Sequence, residues 1–287
     1  MSFTVPEEIT MIVSSDPDNG ATNRSSDGSY FEVNLQDGLT IPKDALNVNL
    51  AVEEATVWWT IPNIITGQND KMYITGPDAA TGAVTNFVIT IDQGLYDLSG
   101  LNQAILRELE NEGAKIEDAG NPLPLINLSP DDATQKVEIR FNYTTVSIDF
   151  TPADTPRDIL GFNAQSYGPF VTAPYNLLAP SVAALNSVNY LLIHSDITNK
   201  GIRFNNEYNQ TLAQVLIDVS PGSQIISKPF NPAKINVAEL TGTSRTSLRF
   251  WLTDDKNRRV NTNGEYWSAR IVIHYLRPFV IGKTQSR

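Results

Sequence analysis

Residues 86–113, NFVITIDQGLYDLSGLNQAILRELENEG, open the one segment of the chain in which a strand, a capped amphipathic helix, a hairpin and a short helix follow one another. Asn86 to Asp92 alternate apolar and polar side chains at period two, the mark of a strand, and Gln93-Gly94 ends it. A helix then starts at Asp97 or Ser99, whose side-chain oxygens can accept from the unpaired N–H groups of a first turn. Leu101, Ile105 and Leu109 recur every fourth residue, Leu98 and Ala104 widen the stripe, and Gly113 supplies the stop. After a proline-rich loop, 136–142 (KVEIRFN) and 145–150 (TVSIDF) read as the two strands of a hairpin. Thr155 is expected to cap a short helix that has Pro156 at its first position and Asp158 reaching back to the cap. Ile159-Leu160-Gly161-Phe162 ends that helix.

Around this section the chain reads as plain β-protein. Strands are expected near 29–35, 46–60 and 71–75, then near 188–195, 212–219, 222–228, 235–240, 246–253 and 265–276. Pro221-Gly222 and the hairpin signal Asn263-Gly264 punctuate the second block. Residues 163–187 form an irregular stretch rich in Pro, Ala and Ser, a length that points to a contact role. Long strands with Pro/Gly corners and one main helix predict a mainly β protein, a jelly-roll β-sandwich with an inserted strand–helix–hairpin section. Two small β domains joined near 165–185 are the alternative. The expected bounds are a flexible N-terminal arm at 1–28, the jelly roll at 29–276 with its insertion at about 86–187, and a basic C-terminal tail at 277–287. Residues 3–14 could form a strand, but Pro6 and Glu7-Glu8 interrupt the pattern and 15–28 are almost wholly turn-formers, hence the arm.

Composition removes several classes of function. The chain has 287 residues, a formal net charge of −11 and no cysteine. Disulfides and thiolate chemistry are therefore excluded. Phosphate binding needs clustered Lys and Arg, so no nucleic-acid partner is expected, and only the tail around Arg277, Lys283 and Arg287 is basic. No apolar run approaches the ~20 residues of a membrane span, and the N-terminus lacks the basic-then-apolar order of a signal peptide.

Nothing in the sequence marks a catalytic centre, a cofactor or a metal site. His194 and His274 each sit in an expected strand without a second ligand at a binding spacing, so each reads as a packed, hydrogen-bonded histidine. Gly282-Lys283-Thr284 has the ending of a phosphate-binding loop, but Arg277 stands where that loop needs its first Gly. Glu53-Glu54 and Asp254-Asp255 are adjacent pairs; neighbours in a strand point to opposite faces and cannot flank one glycosidic bond.

The informative anomaly is apolar. Trp58 and Trp59 are consecutive in an expected strand, so if one enters the core the other faces away from it. Phe250-Trp251 and Tyr266-Trp267 repeat the arrangement. Trp58, Trp59, Trp251 and Trp267 are therefore the candidates for a subunit interface, since aromatic side chains on several outward faces need a cover.

The order strand, Gly, Tyr, helix, hairpin, then Ile148-Asp149-Phe150 leading to Asp158-Ile159-Leu160-Gly161-Phe162, resembles the corresponding stretch of adenovirus penton base. It also resembles the penton (minor capsid) proteins of virophages and polinton-like viruses. This chain is shorter than the adenovirus protein and has no Arg-Gly-Asp loop, so integrin binding is not implied. The resemblance implies a non-enzymatic structural capsid protein, a homopentamer that closes the fivefold vertex of an icosahedral virion. It further implies contact with a double-jelly-roll major capsid protein, a spike or fibre as an additional partner, and synthesis in the host cytoplasm. The rival reading is a viral spike or a receptor- or glycan-binding β-sandwich, which would carry its exposed aromatics at loop tips.

Overall fold

The computed structural model describes residues 2–118, 120–186, 188–204 and 207–280. Met1 of the expected arm and residues 281–287 of the expected basic tail lie outside the described residues. The chain divides into two units, one built from 1–61 with 188–287 and the other from 62–187.

The first unit is built on eight longer strands among the described residues: β1 (Ser2–Ser14), β2 (Tyr30–Thr40), β3 (Leu46–Trp58), β4 (Tyr190–Ser195), β5 (Thr211–Leu216), β6 (Gln224–Ser227), β7 (Ser244–Thr253) and β8 (Ser268–Val280). They make two antiparallel sheets, ordered β1-β8-β3-β6 and β2-β7-β4-β5. This interleaving of first with last and second with seventh is the strand order of a jelly roll. The short strand Ile235–Asn236 also pairs with β3, and Ala21–Thr22 extends the second sheet beside β2.

Alternation along the strands decides which side chains fill the space between the sheets. Leu248, Phe250 and Leu252 of β7 are buried while Arg249 between them is exposed. Phe31 of β2 stacks on Phe250, and Trp267 at the start of β8 meets the same Phe31 ring edge-on at 5.0 Å, joining the two sheets. The Trp267 indole N–H donates to the Gly28 carbonyl and its backbone N–H donates to Ser15 Oγ.

Residues 2–14 depart from the expected arm. They form β1, paired with β8 in register from Ser2 opposite Val280 to Ser14 opposite Ser268. Pro6 is accommodated because β1 is an edge strand, where the missing N–H need not meet a partner. The turn-formers that follow are held as well: Asp16 caps a 3₁₀ turn at Pro17–Asn19, and Asp27 accepts from the Ser29 backbone and hydroxyl. Asn263 and Gly264 do adopt positive φ, as the hairpin signal requires. The strands on either side nevertheless go to different sheets, so the turn closes without making a hairpin.

The second unit begins at residue 62 rather than near 86, because the strand Lys71–Pro77 pairs with Val84–Thr90 and with Ser147–Asp149 and not with β3. The expected hairpin of 136–142 with 145–150 does not form. Lys136–Phe141 pairs with Ile126–Asp131 and Tyr175–Leu178, while Ser147–Asp149 lies in the other sheet between Lys71–Pro77 and Ser166–Tyr167. A turn closed by Val146 N–H on the Tyr143 carbonyl carries the chain from one sheet to the other. Asn142 and Tyr143 fix it by donating to the Pro124 and Leu123 carbonyls.

Helix α1 (Leu98–Asn111) starts where expected, with Asp97 accepting from the Gly100 N–H at 2.6 Å. Its buried face, Leu101, Ala104, Ile105 and Leu109, shares one core with residues of both sheets, among them Ile74, Phe87, Ile139 and Phe141. Helix α2 (Arg157–Leu160) has Pro156 at the cap position and no side-chain cap bond; Thr155 Oγ1 donates instead to the Pro152 carbonyl. No helix among the described residues is long and apolar enough to cross a membrane.

Replacing Trp267 with Ala is expected to lower stability by about 3–5 kcal/mol, through lost burial and the cavity left behind. Asp97→Ala is expected to cost about 1 kcal/mol, the worth of one cap. Urea midpoints of the two variants measure both. Equal losses would show that α1 depends on its cap as heavily as the jelly roll depends on its largest core side chain.

Candidate assembly surfaces

The four tryptophans separate into two kinds. Trp59 and Trp267 are 4% and 2% exposed and belong to the jelly-roll core. They have no area left to offer a partner, so as interface candidates they are corrected by the register: Trp59 bonds through its own backbone to Ser223 and Gly222 and turns inward after β3 ends. Trp58 and Trp251 are half-buried. Trp58 lies opposite Gln224 of β6, on the same outward face as Ile226, which is 62% exposed and lies opposite Thr56.

Trp251 stands in a row of side chains on the outer face of the second sheet. His194 of β4 lies beside it with ring planes 5° apart and centroids 5.4 Å apart. On the β2 side, the Arg259 guanidinium reaches over both the Trp251 ring at 5.2 Å and the Tyr30 ring at 5.3 Å. The indole faces are thus occupied by its neighbours. A pocket of about 210 Å³ lined by His194, Asn199, Asn209, Gln210, Trp251 and Asn257 opens beside this row. Its lining is polar apart from the Trp251 ring, which His194 and Arg259 already flank.

His194 is as predicted a packed, hydrogen-bonded histidine. Its Nε2 is 2.7 Å from Thr253 Oγ1 and its Nδ1 is 3.2 Å from Thr211 Oγ1, and the side chain is 2% exposed. Burial, reinforced by the positive charge of Arg259, pushes its pKa down to about 4. A ring of such low basicity, with both nitrogens engaged, is a poor general base at neutral pH. His274 lies on the first sheet with Nδ1 3.5 Å from Glu8 Oε2. Among the described residues no three His, Cys, Asp or Glu side chains come together to hold a metal ion.

Apolar side chains on the flanks of the jelly roll were not singled out in the sequence. The inward row of β1 runs Val13, Met11, Ile9, Glu7, Val5, Phe3, and burial fades along it: Val13 is buried, Met11 and Ile9 are half-buried, Val5 and Phe3 are exposed. Ile12, on the opposite face of the same edge strand, is 76% exposed. The other flank carries β6 and β5, joined by the short connection 217–223. Ile226 and Leu216 are exposed there, and Phe230, between Pro229 and Pro232, lies wholly in solvent. The signals were present in the sequence, as alternation continuing to Phe3 and as an aromatic bracketed by prolines.

The buried state of His194 makes stability depend on pH in a defined direction. The unfolded histidine titrates near 6.5 and the folded one near 4, so between these values the unfolded chain binds more protons and folding weakens as pH falls. The contribution is whole above about pH 6.5, and about 3 kcal/mol is lost by pH 4. Urea midpoints of wild type and His194→Gln between pH 7.5 and 4.5 test this, with a shallower pH dependence expected for the variant. Parallel curves would show that His194 is not the titrating group.

No family model matches the chain, and no curated protein matches it. Among the solved structures that are similar to it are two that match over nearly the whole length. One is the SeMet-labelled mavirus penton protein, at 11% identity and a TM-score of 0.43, with 96% of this chain and 100% of that chain covered. The other is a chain of the Sputnik virophage, at 14% identity and a TM-score of 0.40, with 94% of this chain and 97% of that chain covered. Likeness at this level transfers no residue role, and the jelly-roll assignment rests on the strand order given above.

Proposed function

We propose that this chain is a structural viral capsid protein, a penton-like subunit that forms a homopentamer, closes the fivefold vertex of an icosahedral virion and contacts the major capsid protein there. The observation that carries this reading is the pairing of a jelly-roll core with exposed apolar side chains on both of its flanks, Phe3, Val5 and Ile12 on one and Leu216, Ile226 and Phe230 on the other. A free monomer gains nothing from apolar side chains held out by its edge strands and by the loop after β6, whereas a subunit buries them. Rotationally related copies that repeat one contact close a ring without a free interface. The sequence resemblance to penton proteins supplies the virion vertex as the place and five as the number. The mechanism of such a protein is closure rather than catalysis.

Sedimentation of purified protein is expected to give a species of five times the chain mass. Trp58→Ala should leave the monomer folded, with an unchanged thermal midpoint, and weaken assembly by about 2 kcal/mol if the indole is a central anchor. A chain that stays monomeric at every concentration reached would end the pentamer reading. A Trp58→Ala variant that loses thermal stability without losing assembly would place that indole in the monomer's own packing.

A further inference from the structure

Resting on the pentamer reading, we infer that the β1 flank of one copy docks on the β6 flank of the next, through an apolar contact framed by carboxylates on one side and lysines on the other. β1 and β6 are the two outer strands of one sheet and so lie on opposite flanks of the jelly roll. The first 23 residues hold Glu7, Glu8, Asp16 and Asp18 and no Lys or Arg. Residues 219–238 hold Lys228 and Lys234 and no Asp or Glu, and the one acid of the 217–223 connection is Asp218, at its start. Each charged set accompanies the exposed apolar residues of its own flank, Phe3, Val5 and Ile12 with the acids, Ile226 and Phe230 with the lysines.

Charge chooses between the ways in which two copies can meet. A contact of β1 with β1 would bring the acidic set of one copy against the acidic set of the other, and a contact of β6 with β6 would do the same to the lysines. Apposed like charges cost several kcal/mol and suppress those pairings. The unlike pair is favoured, and it is necessarily head-to-tail, because the two flanks are different surfaces. Lys228, whose ammonium is 3.7 Å from Glu54, and Lys234, which lines a groove of about 430 Å³ with Lys200 and Ile235, stand on either side of Phe230 in the loop. Pro229 and Pro232 restrict that loop, which reduces the ordering lost when the ring is buried.

The contact is made by side chains and is not a ladder continued from sheet to sheet. Pro6 removes a backbone donor from the β1 edge and Glu7-Glu8 place charge along it, and both oppose open-ended strand pairing.

Four variants test the assignment by sedimentation at low and physiological salt. Lys228→Glu with Lys234→Glu, and separately Glu8→Lys with Asp18→Lys, are each expected to weaken assembly about tenfold or more. All four changes in one chain restore the unlike pairing and are expected to bring assembly back to within a few-fold of wild type. Phe230→Ala, at a side chain that touches no core, is expected to weaken assembly with an unchanged thermal midpoint. Pair variants that assemble like wild type, or a fourfold variant no better than either pair, would overturn this assignment of flanks while leaving the pentamer in place. A monomeric wild type would overturn both.

Discussion

The fold depends on one long-range pairing, the insertion of the last strand between the first and the third. β8 bonds to β1 from Ser14 back to Ser2 and to β3 from Thr56 back to Leu46. Nothing local prepares it, since both partners of β8 lie more than two hundred residues earlier and the loops between must close before the contact repays them. With no cysteine to staple the termini, the sheet β1-β8-β3-β6 is held by ladder bonds and by the rows of side chains beneath it. Trp267 ties this pairing to the second sheet, with its indole against Phe31 and its two N–H groups on Gly28 and Ser15. The same closure that completes the core fixes which strands are edges.

The second unit is tolerated within this scheme because it brings its own core. Residues 62–187 leave the jelly roll after β3 and return before β4, and between them two small sheets and α1 bury a common set of side chains. Asn63 marks the start of this self-sufficiency. It is buried, donates to the Tyr96 and Leu185 carbonyls and accepts from the Tyr96 N–H, joining the beginning, the middle and the end of the inserted chain. A side chain that satisfies three backbone groups so far apart in sequence rigidifies the unit without apolar area.

Much of this was legible, and the failures share one cause. Period and cap residues are local, so α1 and most strands could be read directly, and Asp97 is one of the two caps expected, Ser99 being the other. Partner choice is not local. KVEIRFN and TVSIDF have the alternation of strands joined by a short turn, yet they pair with strands from elsewhere because the Asn142 and Tyr143 side chains bind the 123–124 segment and redirect the chain. Asn263-Gly264 misled in the same way, correct as a turn and silent about its sheets. The first 28 residues looked like an arm because turn-formers dominate 15–28 and because Pro6 with Glu7-Glu8 interrupts the alternation of 3–14; the β8 partner is what makes that stretch a strand. Alternation required Trp58 and Trp59 to face opposite ways if one entered the core, but only the structure says that Trp59 is the one inside.

The same dependence on register explains how buried and exposed apolar side chains come from one sequence pattern. β1 and β8 are both thirteen residues long, about 43 Å if fully extended, and the burial of the β1 row fades before the strand ends. Val13 is covered by its own unit, Ile9 and Met11 partly so, and Val5 and Phe3 continue the inward period past the point where the unit supplies a cover. Between them Glu7 keeps its carboxylate 3.7 Å from the Arg277 guanidinium, so the row passes from core to flank across an ion pair. A paired charge at that boundary limits how far the apolar row can act as an open edge, while leaving its outer end apolar. The alternation that builds the core therefore carries on, unchanged in period, into the exposed apolar row that the proposed contact would cover.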